Sequence, residues 1–85
     1  MKEFHHVIQN KMGLHIRPAS NLAALVRQYH SVIYIIYRKQ MVRANRIVET
    51  MNLNIPYGED ILIQIEGIDE NQALQELKSF CQREL

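Results

Sequence analysis

The segment Gly13–Ser20 holds the side chains of this chain that are best suited to chemistry. His15 follows Gly13 by two positions, and Arg17 follows His15 by two, directly before Pro18. A proline suits the first turn of a helix, where a missing N–H costs no helical hydrogen bond, and the residue before it avoids the α region. The sequence therefore predicts a helix that begins at Pro18 or just before it, with His15 at or just ahead of its N-terminus.

Several chemical properties meet at this predicted helix N-terminus. The first backbone N–H groups of a helix lack intrahelical acceptors, and the helix dipole adds partial positive charge. The guanidinium of Arg17 can hold phosphate oxygens in a fork, and the neutral imidazole of His15 is a competent nucleophile near pH 7. Together these groups indicate a histidine that accepts a phosphoryl group. On spacing alone, a helix-capping His15 beside a solvated Arg17 is the alternative.

Hydrophobic periodicity predicts the elements that position this segment. Strands are predicted at Phe4–Gln9, Val32–Tyr37, Met41–Ala44 and Asp60–Glu66, and helices at Pro18–Tyr29, Ile47–Leu53 and after a capping box formed by Asp69 and Gln72. Asn45 is an acceptable cap for the second helix. The order β-α-β-β-α-β-α predicts an α+β fold, an open-faced β-sandwich with a four-stranded antiparallel sheet and three helices on one face.

Composition limits the possible classes of protein. The 85 residues predict a single domain, 1–85, and 47% hydrophobic residues indicate a globular chain. A net charge of +1 gives no electrostatic argument for nucleic acid, and no apolar run predicts membrane insertion. The single cysteine, Cys81, is predicted to be a core thiol. These features predict a soluble cytoplasmic protein.

Histidines also allow a metal-binding interpretation, built on His5, His6, His15 and His30. Adjacent histidines on a strand point to opposite faces, so His5 and His6 make a poor chelating pair. The spacing of the four matches no common site, and we expect neither a metal nor another cofactor.

The run Gly13-Leu14-His15-Ile16-Arg17-Pro18-Ala19 resembles the active-site signature of the HPr family, the histidine-containing phosphocarrier proteins of the bacterial phosphotransferase system. Length, element order and turn positions agree over essentially the whole chain. The resemblance implies that Enzyme I phosphorylates His15 on Nδ1, using phosphoenolpyruvate. It further implies that the A component of an enzyme II receives the group, with Arg17 as phosphate partner. It implies a carrier and not an enzyme.

A partner-docking surface is predicted around His15. We define it by six residues: Ile16, Ser20, Arg27, Ile47, Val48 and Met51. Core packing is the alternative for Ile47 and Met51. The alternative function is a non-transferring regulatory or binding domain that acts through the Ile47–Met51 surface. Retention of both His15 and Arg17 favours the carrier, because a pure binding domain does not need that pair.

Four positions depart from the family pattern. Ile16 stands where the family usually has a small residue, which could narrow the choice of partner. Arg46 stands where many members carry a regulatory serine, and Glu49 and Asn54 replace residues that are commonly glycine. The resemblance therefore implies that regulation by a serine kinase is absent.

The outer face of the predicted sheet is unusually apolar. It carries Val7, Val32, Tyr34, Ile36 and Leu62, whereas an antiparallel sheet with one wet face normally alternates apolar and polar residues. An exposed apolar patch often marks an interface, so we expect a weak homodimer or another partner on this face.

Overall fold

A computed structural model describes all 85 residues, which form four strands and three helices. In chain order these are β1 (Lys2–Val7), α1 (Ile16–Val26), β2 (Val32–Tyr37), β3 (Gln40–Arg43), α2 (Ile47–Met51), β4 (Asp60–Glu66) and α3 (Glu70–Glu84). The predicted order β-α-β-β-α-β-α is confirmed. None of the three helices is both long and apolar enough to cross a membrane.

The four strands form one antiparallel sheet in the order β1-β4-β2-β3. β4 therefore pairs with both β1 and β2, and β1 and β3 form the two edges. Alternate residues of β2 and β4 are fully buried, as the period of two along a strand requires. The predicted open-faced α+β fold is confirmed, because the helices cover one face of the sheet only.

The hydrophobic core lies between the helices and this covered face. Its sheet side consists of Ile33, Ile35, Tyr37, Ile61, Ile63 and Ile65, and its helix side includes Leu22, Val26, Leu77, Phe80 and Cys81. Burial raises the pKa of the Cys81 thiol to about 12, so the thiol stays protonated and unreactive at neutral pH. The prediction of a core cysteine is confirmed.

Several predicted boundaries shift by a few residues. β1 begins at Lys2 and ends at Val7, because its register with β4 runs from Lys2 opposite Ile65 to Val7 opposite Asp60. α1 begins at Ile16 rather than Pro18 and ends at Val26 rather than Tyr29. α2 ends at Met51, so it is shorter than predicted.

Asp69 is the N-cap residue of α3, as predicted, but its side-chain capping bond is absent, and the predicted cap of α2 is wrong. Asp69 makes no capping bond to α3, because its carboxylate accepts hydrogen bonds from the backbone N–H groups of His30 and Ser31, at 2.8 and 2.9 Å, and from the Ser31 hydroxyl. The N-cap of α2 is Arg46 and not Asn45. At α3, long-range partners thus replace the local capping bond that the sequence suggested.

Candidate functional site

His15 is the N-cap residue of α1. Its backbone is extended, with φ −95° and ψ −176°, and its carbonyl accepts the first helical hydrogen bond from the N–H of Ala19 at 3.1 Å. Its side chain makes no capping hydrogen bond, and the residue is half-buried. The imidazole is therefore not used to cap the helix, which leaves it available for chemistry.

The start of α1 is electropositive. The N–H groups of Ile16 and Arg17 have no acceptor in the chain, Pro18 has no N–H, and the first turn contains no acidic residue. The Arg17 side chain is exposed and makes neither a hydrogen bond nor an ion pair. An anion at this helix end would meet two unpaired amides and one unpaired guanidinium.

Gly13 joins the loop before α1 to the loop after α2. It has φ +72°, and a Cβ there would collide with the carbonyl oxygen of Ile55 and lie 3.0 Å from Cα of Pro56. The backbones can approach this closely only because glycine has no side chain. The N–H of Leu14 donates to the Ile55 oxygen at 2.9 Å, so the two loops are joined beside His15.

Asn10 contacts the imidazole and was not singled out from the sequence. Its Oδ1 accepts a hydrogen bond from the N–H of Met12 at 3.0 Å, and its Nδ2 donates to the carbonyl oxygen of Glu84 at 3.2 Å. The same Nδ2 lies 3.5 Å from Nε2 of His15. Because these two bonds fix the orientation of the amide, the group that faces Nε2 is a donor. Within the neutral imidazole, this contact favours the tautomer whose proton is on Nδ1.

Residues at the C-terminal end of α3 form hydrogen bonds to the segments on both sides of His15. The main-chain oxygen of Leu85 accepts hydrogen bonds from the N–H of Asn10, at 3.0 Å, and from the N–H of Gln9. Oε1 of Glu84 accepts a hydrogen bond from Nδ2 of Asn21 on α1 at 2.8 Å. The last residues of the chain therefore hold both the loop before His15 and the helix after it.

A shallow cleft of about 320 Å³ opens beside His15. It is lined by Met12, Leu14, His15, Met51, Asn54, Ile55 and Pro56. Met12 at its rim is 74% exposed. Nothing in the sequence indicated that residues 54–56, about forty positions further along the chain, form one wall of this cleft.

The two helices that carry the predicted docking surface, α1 and α2, pack against each other. Ile16 is 57% exposed and Val48 is 72% exposed, while Ser20 and Ile47 are half-buried. Met51 packs against the core, which was the alternative to a docking role, and it also lines the cleft beside His15.

Arg27 lies apart from the rest of that surface. It is the C-cap of α1, and a helix rise of 1.5 Å per residue places it roughly 15 Å along the axis from Arg17. Its Nη2 donates to the carbonyl oxygen of Asn45 at 3.1 Å, and it lines a second cleft together with Arg43. The structure therefore does not bring Arg27 to His15.

Arg46 occupies the N-cap of α2. Its side chain makes no capping bond and lies on the surface, where Nη1 is 3.4 Å from Oε1 of Glu49. The structure thus places a cation, held by the residue three positions later, at the helix end where the HPr resemblance puts a regulatory serine.

The histidines of the metal-binding interpretation do not converge. His5 lies on the open face of the sheet, with Nδ1 2.8 Å from Oδ2 of Asp60, and His6 lies on the covered face. No group of three or more His, Cys, Asp or Glu side chains is placed to share an ion.

Comparison with known proteins gives one consistent family. The family model described as the PTS HPr component phosphorylation site matches residues 2–83. The phosphocarrier protein HPr of Mycoplasma capricolum subsp. capricolum is 38% identical over 78 residues, which cover 92% of this chain and 88% of that protein.

Solved structures agree with this result. The structure of HPr-C-His from Thermoanaerobacter tengcongensis superimposes with a TM-score of 0.91 at 32% identity, covering 96% of this chain and 92% of that one. A mycoplasma histidine-containing phosphocarrier protein superimposes with a TM-score of 0.89 at 37% identity, covering 93% and 90% of the two chains.

Proposed function

Because the chain belongs to the HPr family of phosphocarrier proteins of the phosphotransferase system, we propose that His15 accepts a phosphoryl group from Enzyme I and passes it to the A component of an enzyme II. Members of this family carry the group and are not enzymes. The observation that carries the proposal is an imidazole that does not cap its helix, next to two unpaired amides and the unpaired Arg17.

Phosphoryl transfer to His15 needs a free lone pair on one ring nitrogen. The family implies attack by Nδ1, which carries the proton in the tautomer that the Asn10 contact favours. This proton therefore leaves to solvent or to the donor protein, the lone pair that it frees on Nδ1 attacks phosphorus, and the bond from phosphorus to the donor breaks. Phosphorylation there leaves a lone pair on Nε2, which is the nitrogen that Nδ2 of Asn10 faces.

Arg17 and the first backbone N–H groups of α1 stabilise the negative charge of the phosphoryl group. The guanidinium and the N–H groups of Ile16 and Arg17 donate hydrogen bonds to the oxygens of the group, and the helix backbone fixes the two N–H groups in advance. Neither set of donors is engaged elsewhere in the chain. Apart from its bond to His15, the group is therefore held only by hydrogen-bond donors at the surface, which allows its release to the next protein.

The apolar side chains around His15 provide the docking surface for both partner proteins. Ile16, Val48 and Met12 are exposed, and Met51 lines the adjoining cleft. Exposed apolar residues around a polar centre are typical of protein-binding sites. The bulk of Ile16, next to the reacting histidine, restricts which partners fit. We place the exchange in the cytoplasm, and it needs no cofactor in this chain.

Regulation through a serine on α2 is absent under this proposal. Arg46 cannot accept a phosphoryl group on its guanidinium, and its contact with Glu49 already occupies the surface at this helix end. The altered residues Glu49 and Asn54 support the same conclusion.

The second candidate is a non-transferring regulatory domain that binds through Ile47–Met51. Exposure of Val48 is consistent with it, but such a domain gives no reason for an unpaired Arg17 beside an available His15. The two candidates differ in one result, the presence or absence of phosphohistidine.

The test is incubation with Enzyme I and labelled phosphoenolpyruvate. We expect acid-labile, alkali-stable label that is lost in His15→Ala and kept in His30→Ala, which changes an exposed histidine elsewhere. Arg17→Ala should slow transfer about tenfold or more, whereas Arg83→Ala on α3 should not. Label retained in His15→Ala, or absent from the unmodified protein, contradicts the proposal.

A further inference from the structure

The face of the sheet opposite the helices is uncovered and carries apolar residues at its centre. Val32, Tyr34, Ile36 and Leu62 on the two central strands are only half-buried, and Val7 and Met41 on the edge strands are 44% and 54% exposed. An uncovered apolar face of this kind is typical of a protein-binding surface, and the charged residues on it indicate what the partner is.

The strand register arranges this open face in rows that cross all four strands. One row consists of Glu3, Gln64, Tyr34 and Arg43, and the next consists of His5, Leu62, Ile36 and Met41. Each row runs in the order β1, β4, β2, β3. The first row therefore has an acid at the β1 edge, a base at the β3 edge and uncharged residues between them.

We propose that the partner is a second copy of this chain, packed face to face about a two-fold axis that runs parallel to the strands between β4 and β2. This rotation lays β1 of one copy over β3 of the other and β4 over β2. Each row of one copy then lies over the same row of the second copy. Glu3 then faces Arg43 of the second copy, Gln64 faces Tyr34, and Leu62 faces Ile36. The open face is thus complementary to itself.

The charges are free for this role within one chain. Neither Glu3 nor Arg43 forms an ion pair or a side-chain hydrogen bond in the structure. Because a two-fold interface repeats each contact, the dimer gains two Glu3–Arg43 pairs at opposite rims of one apolar centre. Stacked sheets pack with their strands nearly aligned, which a two-fold axis along the strands permits.

Other orientations lose this match. A two-fold axis running across the strands would lay β1 over β1 and stack Gln64 on Leu62, so Arg43 would face Met41 and lack an opposite charge, and Glu3 would face His5, which already contacts Asp60. Electrostatic complementarity therefore selects one orientation of the second copy.

The dimer is weak. Four strands spaced about 4.8 Å apart give a face only about 15 Å wide, so the buried area falls below the roughly 800 Å² per partner of stable complexes. We expect a dissociation constant on the order of 0.1–1 mM. His15 lies at the start of a helix on the other side of the sheet, so association leaves the candidate phosphorylation site accessible and does not depend on the proposed function.

Sedimentation equilibrium at low salt, from micromolar to millimolar protein, tests this inference. Glu3→Arg and Arg43→Glu each place like charges opposite one another, and each should weaken association by about tenfold or more. The double variant restores two opposite-charge pairs per dimer and keeps the net charge of the native chain, so it should associate within about threefold of the unmodified protein.

Glu76→Arg on α3 is the control for Glu3→Arg, because it makes the same change of net charge away from the open face. It should leave association unchanged. A strict monomer at millimolar concentration overturns the proposal, and so does a dimer that is indifferent to the single reversals or weakened further in the double variant.

Discussion

Nδ2 of Asn10 lies 3.5 Å from Nε2 of His15, and the other two bonds of the same amide fix this end as the donor. The contact favours the imidazole tautomer with its proton on Nδ1. It also matches a ring that carries phosphorus on Nδ1 and a lone pair on Nε2. We therefore propose that Asn10 is a positioning residue, which acts on the proposed transfer through the imidazole.

Asn10→Asp should reverse this tautomer preference. Aspartate keeps an oxygen for the N–H of Met12 but presents an acceptor to His15, so the proton of the neutral ring should move to Nε2. Nitrogen-15 NMR of the imidazole at alkaline pH distinguishes the two tautomers. Asn71→Asp, an exposed change of the same charge on α3, should leave the ring unaffected. An unchanged tautomer in Asn10→Asp would show that the contact does not govern the ring.

Incubation with the serine kinase of the HPr family and ATP should leave no acid-stable phosphate on the protein. The residue at the N-cap of α2 is Arg46, which has no hydroxyl to phosphorylate. Mass spectrometry after acid treatment checks this outcome. Finding phosphoserine at any position, Ser20 included, would contradict the loss of this regulation.

Gly13→Ala should destabilise the fold by about 2–3 kcal/mol or more. The change combines a left-handed backbone, at φ +72°, with a collision between the new Cβ and the Ile55 oxygen. Gly58→Ala is the matched control, since Gly58 has φ +89° but no atom within 4 Å of the new Cβ, and it should cost only about 1 kcal/mol. Urea denaturation measures both. Equal losses of stability in the two variants would mean that the contact between Gly13 and the Ile55 oxygen is not close enough to exclude a Cβ.

Lys39→Gly should stabilise the protein by about 0.5–1 kcal/mol. Arg38 and Lys39 form the two-residue turn between β2 and β3 with φ +48° and +67°, a conformation that favours glycine at its second position. Lys78→Gly in the middle of α3 should instead cost about 1 kcal/mol, because glycine is unfavourable inside a helix. A loss of stability in Lys39→Gly would show that the positive φ carries no strain.

Asp69→Asn should lower stability at neutral pH and have a diminishing effect in acid. The hydroxyl of Ser31, followed by the N–H groups of His30 and Ser31, holds the pKa of the Asp69 carboxyl below its ordinary value. A lowered pKa stabilises the folded state fully above about pH 4, and this contribution is lost as pH falls through the lowered value. Urea midpoints measured from neutral to acid pH check the trend.

The control for Asp69 is Glu76→Gln, which changes an exposed carboxylate that accepts no hydrogen bond. Its urea midpoint should stay close to that of the native chain at every pH from neutral to acid. A gap between native protein and Asp69→Asn that widens in acid would contradict the assigned role.

Elements with strong local patterns were predictable. β2 and β4 have the predicted bounds, because alternating burial appears directly in Val32–Tyr37 and Asp60–Glu66. The position of His15 at the start of α1 also followed from Pro18. Boundaries were less accurate, since β1 ends where its pairing with β4 ends and not where its own apolar pattern ends.

The sequence alone determined the family, the order of the elements and a histidine with an arginine at a helix N-terminus, because these depend on residues within one or two turns of each other. Only the tertiary structure decided that Asp69 holds Ser31 rather than its own helix, that Asn10 faces the imidazole, and that the wall of the cleft comes from the Ile55 loop. These contacts join residues far apart in the chain. Their partners are chosen by how the layers pack, which no local pattern encodes.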